Sequence, residues 1–191
     1  TVDRMFSRLH EILAAGVIDA NKAEEIFQQE VDLDEMQREI VEFIGHIMTG
    51  NISHEIIEES RRQLRMVDEY ESISDYVTSI LKLRLKLRDN DLAITPEGLE
   101  DLLKLHVKVD AYIKLIGQAM KEEREEFFTE AQAKGNSLTR FVKDCRNRHL
   151  ARVSDGKASP LKSLIFTDML TAYRRIKDHA FNIAEVLAGE K

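Results

Sequence analysis

Two pairs of carboxylates stand four residues apart in this sequence: Glu30 with Asp34, and Glu71 with Asp75. On a helix, that spacing puts both members of a pair on one face. If two such helices lay side by side, the four side chains would converge. Hard oxygen donors of this kind suit Mg²⁺, Ca²⁺, Mn²⁺ or iron rather than soft metals. The residues alone leave a second reading open. A third of the chain is charged (33%), and Arg38, Arg62 and Arg65 are available as ion-pair partners on a solvated helix face.

A second cluster is basic. Arg146, Arg148, His149 and Arg152 share one short stretch and could bind phosphate or an acidic loop of a partner. The simpler reading is a solvated face balanced by the acidic run Glu122–Glu126. His179, beside Asp178, reads as a hydrogen-bonding residue inside a bundle rather than a ligand or pH sensor. Cys145 is the single cysteine and has no His–Asp constellation around it, so it reads as a structural thiol in a reducing compartment.

Catalytic signatures are absent from the sequence. It holds no nucleophile elbow, P-loop, dinucleotide-binding glycine pattern or H-E-x-x-H. Di-iron carboxylate bundles need Glu three residues before His. The residues three before the six histidines are Ser7, Phe43, Asn51, Leu103, Arg146 and Ile176, which disfavours that class. The net charge of −7 argues against a general nucleic-acid binder, which needs a basic face. No uncharged apolar run is long enough to span a bilayer, and no signal peptide opens the chain. The first residue is Thr1, which fits either a trimmed chain or a domain cut from a longer one.

The elements that must position these residues are helices. Only two prolines and eight glycines are present, too few for the turns of a β-sandwich across 191 residues. Val2, Met5, Phe6, Leu9, Ile12 and Leu13 trace one helix face. Asp19 caps a second helix, from about Ala20 to Met48, whose apolar set is Ile26, Val31, Leu33, Met36, Ile40, Phe43, Ile44 and Ile47. Ser53 caps a third. Its tail, Leu81–Arg88, alternates with period two, yet it continues a helical run, and its cations suit a helix C-terminus. Thr95-Pro96-Glu97 starts a fourth helix expected to reach about Lys134. A fifth is expected from Ser137 to Val153, ended by Gly156, and a sixth from Ser159-Pro160 to Leu187.

The pattern repeats. One offset, 103 residues, carries Met66 onto Met169, Tyr70 onto Tyr173, Ile73 onto Ile176, Asp75 onto Asp178 and Ile80 onto Ile183. Both copies are entered through Gly-x-x-Ser, at Gly50–Ser53 and Gly156–Ser159. The expectation is an all-α chain of six helices in two tandem three-helix bundles, residues 1–94 and 95–191.

At the sixth helix the sequence meets a family pattern. Arg175-Ile176-Lys177-Asp178-His179-Ala180-Phe181-Asn182-Ile183-Ala184-Glu185 resembles the R-I-G-D-H-A-x-N-I-A-E signature of PhoU-like domains. Glu71–Val77 is a looser version of it. Arg146–Val153 resembles the R-x-R-H-L-x-R-L run of the PhoU-like tails of sodium/phosphate cotransporters, and Glu30–Asp34 resembles the acidic stretch of the second helix. The resemblance covers essentially the whole chain.

That resemblance implies tandem three-helix bundles, a regulatory role in phosphate uptake, and metal held by E-x-x-x-D motifs. Carried over residue by residue, it gives Glu30, Asp34, Glu71 and Asp75 as ligands of a divalent or ferric cation. The second copy departs from the motif, because Arg174 stands where the family has glutamate. Asp178 then loses its partner ligand, Asp144 is a weak substitute, and an Arg174–Asp178 ion pair is expected instead.

The leading expectation is the regulatory cytoplasmic domain of a sodium-dependent phosphate cotransporter. Its partner would be the membrane domain of the same polypeptide, lying upstream and tethering it to the plasma membrane. The alternative is a free-standing PhoU-type adaptor restraining a phosphate-sensing kinase and an importer. From another class comes a metal-binding helical enzyme or storage protein. Leucines at the tail of the third helix make a homodimer plausible.

Overall fold

A computed structural model describes residues 1–50, 52–122, 127–154 and 159–189. It contains α1 (Val2–Ala14), α2 (Ala20–Ile47), α3 (His54–Asp89), α4 (Pro96–Glu122), α5 (Phe127–Ser154) and α6 (Pro160–Leu187). No strand occurs among the described residues.

Local chemistry sets the helix starts. The Asp19 carboxylate accepts from the backbone N–H of Asn21 at 2.9 Å and of Lys22 at 3.4 Å. Ser53 Oγ accepts from Ile56 N–H, and Thr95 Oγ1 from Gly98 N–H. Each satisfies a donor that the first turn leaves open. The Leu81–Arg88 tail is helical, and within it Arg84 donates to the Ala15 carbonyl just past the end of α1. Its leucines face inward: Leu81 and Leu87 are buried, and Leu83 and Leu85 pack on the core. They therefore offer no surface for a second copy.

The helices α1, α2 and α3 touch one another, as do α4, α5 and α6. The long α3 and α6 pack together most extensively, and α1 also lies against α4, so one apolar core runs through the chain. All six apolar residues of α1 are buried, as are Ile73 and Ile80 of α3 and their counterparts Ile176 and Ile183 of α6.

Two expectations need correction. The fifth helix already runs from Phe127, so Gly135 is not the boundary between the fourth and fifth helices. Gly135 sits inside α5 because a Cβ there would stand 3.0 Å from the Tyr112 hydroxyl. The glycine permits close approach of α4 and α5; it does not end a helix. The stop at Gly156 and residues 123–126 of the acidic run lie outside the described residues.

The second correction concerns α2. Of its expected apolar face only Ile26 and Ile44 are buried, whereas Val31, Met36, Ile40, Phe43 and Ile47 are exposed. The reason is topological. Among the described residues α2 touches only α1 and α3, and α1 is 13 residues against the 28 of α2. The far half of the α2–α3 hairpin therefore overhangs the bundle.

Candidate functional site

The antiparallel α2–α3 hairpin holds a constant register. Gln37 Nε2 donates to Asp68 Oδ1 at 2.9 Å, and one turn nearer the bundle Asp34 stands opposite Glu71 and Asp75. Each of Asp34, Glu71 and Asp75 offers a carboxylate oxygen, all within 4.8 Å of one another. Asp34 and Asp75 are exposed and Glu71 is half-buried, so the group opens to solvent. Glu30 is not part of that tight group but feels both Asp34 and Asp75.

Crowding of like charges marks this spot. Burial and then Asp34 and Asp75 push the Glu30 carboxyl above its ordinary range. Burial, Asp75 and Asp34 do the same to Glu71, and burial and Asp34 to Asp75, against a smaller opposing pull from Lys82. Neighbouring carboxylates without a cation disfavour their own charged forms. A hard cation would relieve that repulsion, and the donor set of three convergent carboxylates fits one.

The equivalent place in the second half is different. Asp178 pairs with Arg174 at 3.8 Å and closely with Lys177. Two fixed cations occupy the surroundings of this carboxylate, so these residues do not fit a metal ion. The expected Arg174–Asp178 pair is present.

The basic stretch on α5 has an internal acidic partner, which the sequence reading missed. Asp101 of α4 is 8% exposed. It accepts from Arg148 Nη2 at 2.8 Å and Nε at 3.0 Å, and from Arg152 at 3.2 Å. Burial raises its carboxyl pKa, but the two guanidinium groups more than offset that and hold it below the usual range. Arg146 reaches Thr171, and buried His149 hydrogen-bonds Ser163 Oγ at 2.9 Å and stacks on Phe166. Burial and Arg152 keep the His149 pKa low. These side chains bind α5 to α4 and α6. The signal was Asp101 itself, a carboxylate on the stripe Gly98–Leu102–Leu105–Val109 that faces the core.

The histidine and asparagine of the α6 signature also have structural roles. His179 Nδ1 lies 2.7 Å from Glu69 Oε2, and Asn182 Nδ2 donates to both oxygens of Glu69 at 3.0 and 3.1 Å. Glu69 had no place in the sequence reading, although it too is a charge on the helix face continued by Ile73 and Ile80. Cys145 is buried, and burial and Asp101 push its thiol up to about 11, far from a reactive thiolate.

Comparison with known proteins bears on this geometry. No curated protein sequence matches the chain significantly. The structure superposes on the crystal structure of PhoU from Pseudomonas aeruginosa with TM-score 0.86 at 16% identity, covering 97% of this chain and 88% of that one. It superposes on the phosphate transport system regulatory protein PhoU from Streptococcus pneumoniae with TM-score 0.82 at 17% identity, covering 97% and 86%. No helix among the described residues is long and apolar enough to cross a membrane. The six-helix chain thus has the PhoU fold throughout, and its residues 1–83 match the family model of the PhoU domain.

Proposed function

We propose that this chain is a PhoU-type regulator of phosphate uptake that acts through protein contacts rather than catalysis. Asp34, Glu71 and Asp75, with Glu30 beside them, would hold a divalent or ferric cation. One observation carries the reading: in a chain of PhoU fold, the two E-x-x-x-D pairs meet across α2 and α3, and three of their carboxylates converge within 4.8 Å. The cation would neutralise the cluster and tie α2 to α3 at the root of the overhang. Such a ligand regulates only if it binds two arrangements of the chain with different affinity.

We further read α1–α3 and α4–α6 as copies of one unit, residues 1–94 and 95–191, of which the second has exchanged its cation site for the Arg174–Lys177–Asp178 cluster. The chain spans most of the length of the two PhoU structures. The cotransporter-tail reading rests on the Arg146–Val153 run, and the sequence upstream of Thr1 separates the two. The test of regulation is uptake of labelled phosphate by cells with and without this chain. Altered uptake, reproduced by Glu71→Ala/Asp75→Ala, is expected; uptake indifferent to deletion would refute the role.

A further inference from the structure

We infer that the cleft between the α1–α2 connection and the end of α3 binds a small organic anion, with Arg84 taking the carboxylate of an aliphatic monocarboxylic acid and the surrounding side chains its hydrocarbon body. This depends neither on the cation site nor on a role in phosphate uptake.

The cleft has a volume of about 510 Å³, ample for a small molecule. Several parts of the chain meet there. Leu13 and the residues 15–18 that follow α1 form one wall, and Arg84, Leu87 and Arg88 of the last turns of α3 form the next. Leu92 and Ile94, on the way into α4, form the third. A turn builds that third wall: Asp91 takes a φ of 54°, and Leu92 N–H folds back onto the Leu87 carbonyl at 2.9 Å.

Arg84 supplies the charge. It is half-buried, and among the described residues its hydrogen bond goes from Nη2 to the Ala15 carbonyl at 3.3 Å. A guanidinium has further N–H groups to give. No carboxylate among the described residues pairs with it. Arg88 is held by Asp89 at 2.8 Å, and Asp91 lies exposed on the rim. Burial and Arg88 both work against the charge of Arg84, and no acid opposes them. The contrast is with Arg148 and Arg152, whose guanidinium groups share Asp101. A partly desolvated cation without a counter-charge is costly, and a carboxylate answers a guanidinium with two parallel N–H···O bonds.

The lining selects the rest of the ligand. Apart from Arg84, Arg88 and Asp91, every residue on it is aliphatic or glycine. It offers no ring to stack on a base and no hydroxyl or amide side chain to read a sugar, which disfavours a nucleotide or a sugar phosphate. Val17, 85% exposed, adds apolar surface at the mouth. One unpaired cation matches one negative charge, and aliphatic walls match a hydrocarbon chain.

Titration of the whole chain with sodium octanoate, followed by backbone amide NMR, tests the site, with octanol and acetate as the two halves of the ligand. Octanoate should saturate shifts centred on Gly16, Val17 and Ala93, with a Kd on the order of 0.1–1 mM. Octanol and acetate should each bind about tenfold more weakly or worse. Arg84→Gln, with its helical circular dichroism unchanged, should weaken octanoate by about tenfold and leave octanol unmoved. Val17→Asp, a substitution at an exposed position that sets a negative charge at the mouth, should weaken octanoate in the same direction without touching the Arg84–Ala15 contact. Octanoate that leaves these amides unshifted overturns the inference. Octanol that binds as tightly, or octanoate binding that neither variant weakens, overturns it equally.

Discussion

Tyr76 of α3 and His179 of α6 are separated by the same 103 residues that carry Asp75 onto Asp178, and their rings stack on each other with centroids 5.6 Å apart. The hydrogen bonds around this stack do not follow that offset. His179 and Asn182 both hold Glu69, whereas the position equivalent to Glu69 on α6 is the buried Ala172.

That asymmetry makes Glu69 the anchor of the interface. Glu69→Ala is expected to destabilise the chain by about 1–3 kcal/mol, because it takes the acceptor from both His179 and Asn182, and His179→Ala by less, because Asn182 still donates to Glu69. The double variant should cost clearly less than the sum, as contacting pairs do. Urea unfolding of the four proteins measures this coupling; strict additivity would mean that the contact contributes nothing.

Asp101 stands between two guanidinium groups, and removing it strands both. Asp101→Ala should cost about 2–4 kcal/mol, more than Arg148→Ala, which leaves Arg152 still paired. The carboxyl is held below its ordinary range, so the folded chain binds this proton less readily than the unfolded chain. Its contribution is complete above the unfolded value and is lost as pH falls through the folded one. Chemical denaturation between pH 6 and pH 2 should show that loss in the wild type and not in Asp101→Ala.

The Gly135–Tyr112 approach predicts an unusual pair of effects. Gly135→Ala gains about 1 kcal/mol of helix propensity but places a methyl 3.0 Å from the Tyr112 hydroxyl, so little net stability should result. That hydroxyl is buried and has no hydrogen-bond partner among the described residues. Tyr112→Phe should therefore be close to neutral, and in that background Gly135→Ala should become stabilising by about 1 kcal/mol. Thermal melts of the two singles and the double decide it.

His106 sets a limit on acid stability. It is 2% exposed, and burial, followed by the nearby His10, lowers its pKa to about 4. Its ring is neutral, so Nδ1 accepts the Tyr173 hydroxyl at 2.8 Å. The unfolded chain protonates this histidine near pH 6.5 and the folded chain only near 4. Stability is thus complete above pH 6.5 and declines between 6.5 and 4, by on the order of 3 kcal/mol. His106→Gln, which keeps a hydrogen-bonding group, should flatten that slope in denaturant titrations; an unchanged slope would assign it elsewhere.

Much of this architecture was legible in the sequence because it is written in local chemistry. Asp19, Ser53, Thr95 and Pro160 mark helix starts by what they donate, accept or lack. The approach of the two E-x-x-x-D pairs followed from a short connection between two helices. What was hidden is what depends on a distant neighbour. Gly135 looks like a helix stop until Tyr112 is seen against it. The α2 stripe looks like core until α1 proves too short to cover it. Glu69 and Asp101 look like surface charges unless one notices that each stands on an apolar face.

The most direct measurement of the account is a cation titration followed by scanning calorimetry on chelator-treated protein. Burial and mutual repulsion raise the Glu30, Glu71 and Asp75 carboxyls, so without a cation this cluster favours the folded state most at low pH. That contribution is lost as pH rises through the raised values. At pH 7, Mn²⁺ or Ca²⁺ at a hundred times its Kd should raise Tm by about 5–10 °C in the wild type. In Glu71→Ala/Asp75→Ala it should raise Tm hardly at all. A cation without effect on the wild type, or one that stabilises both proteins alike, would contradict the assignment.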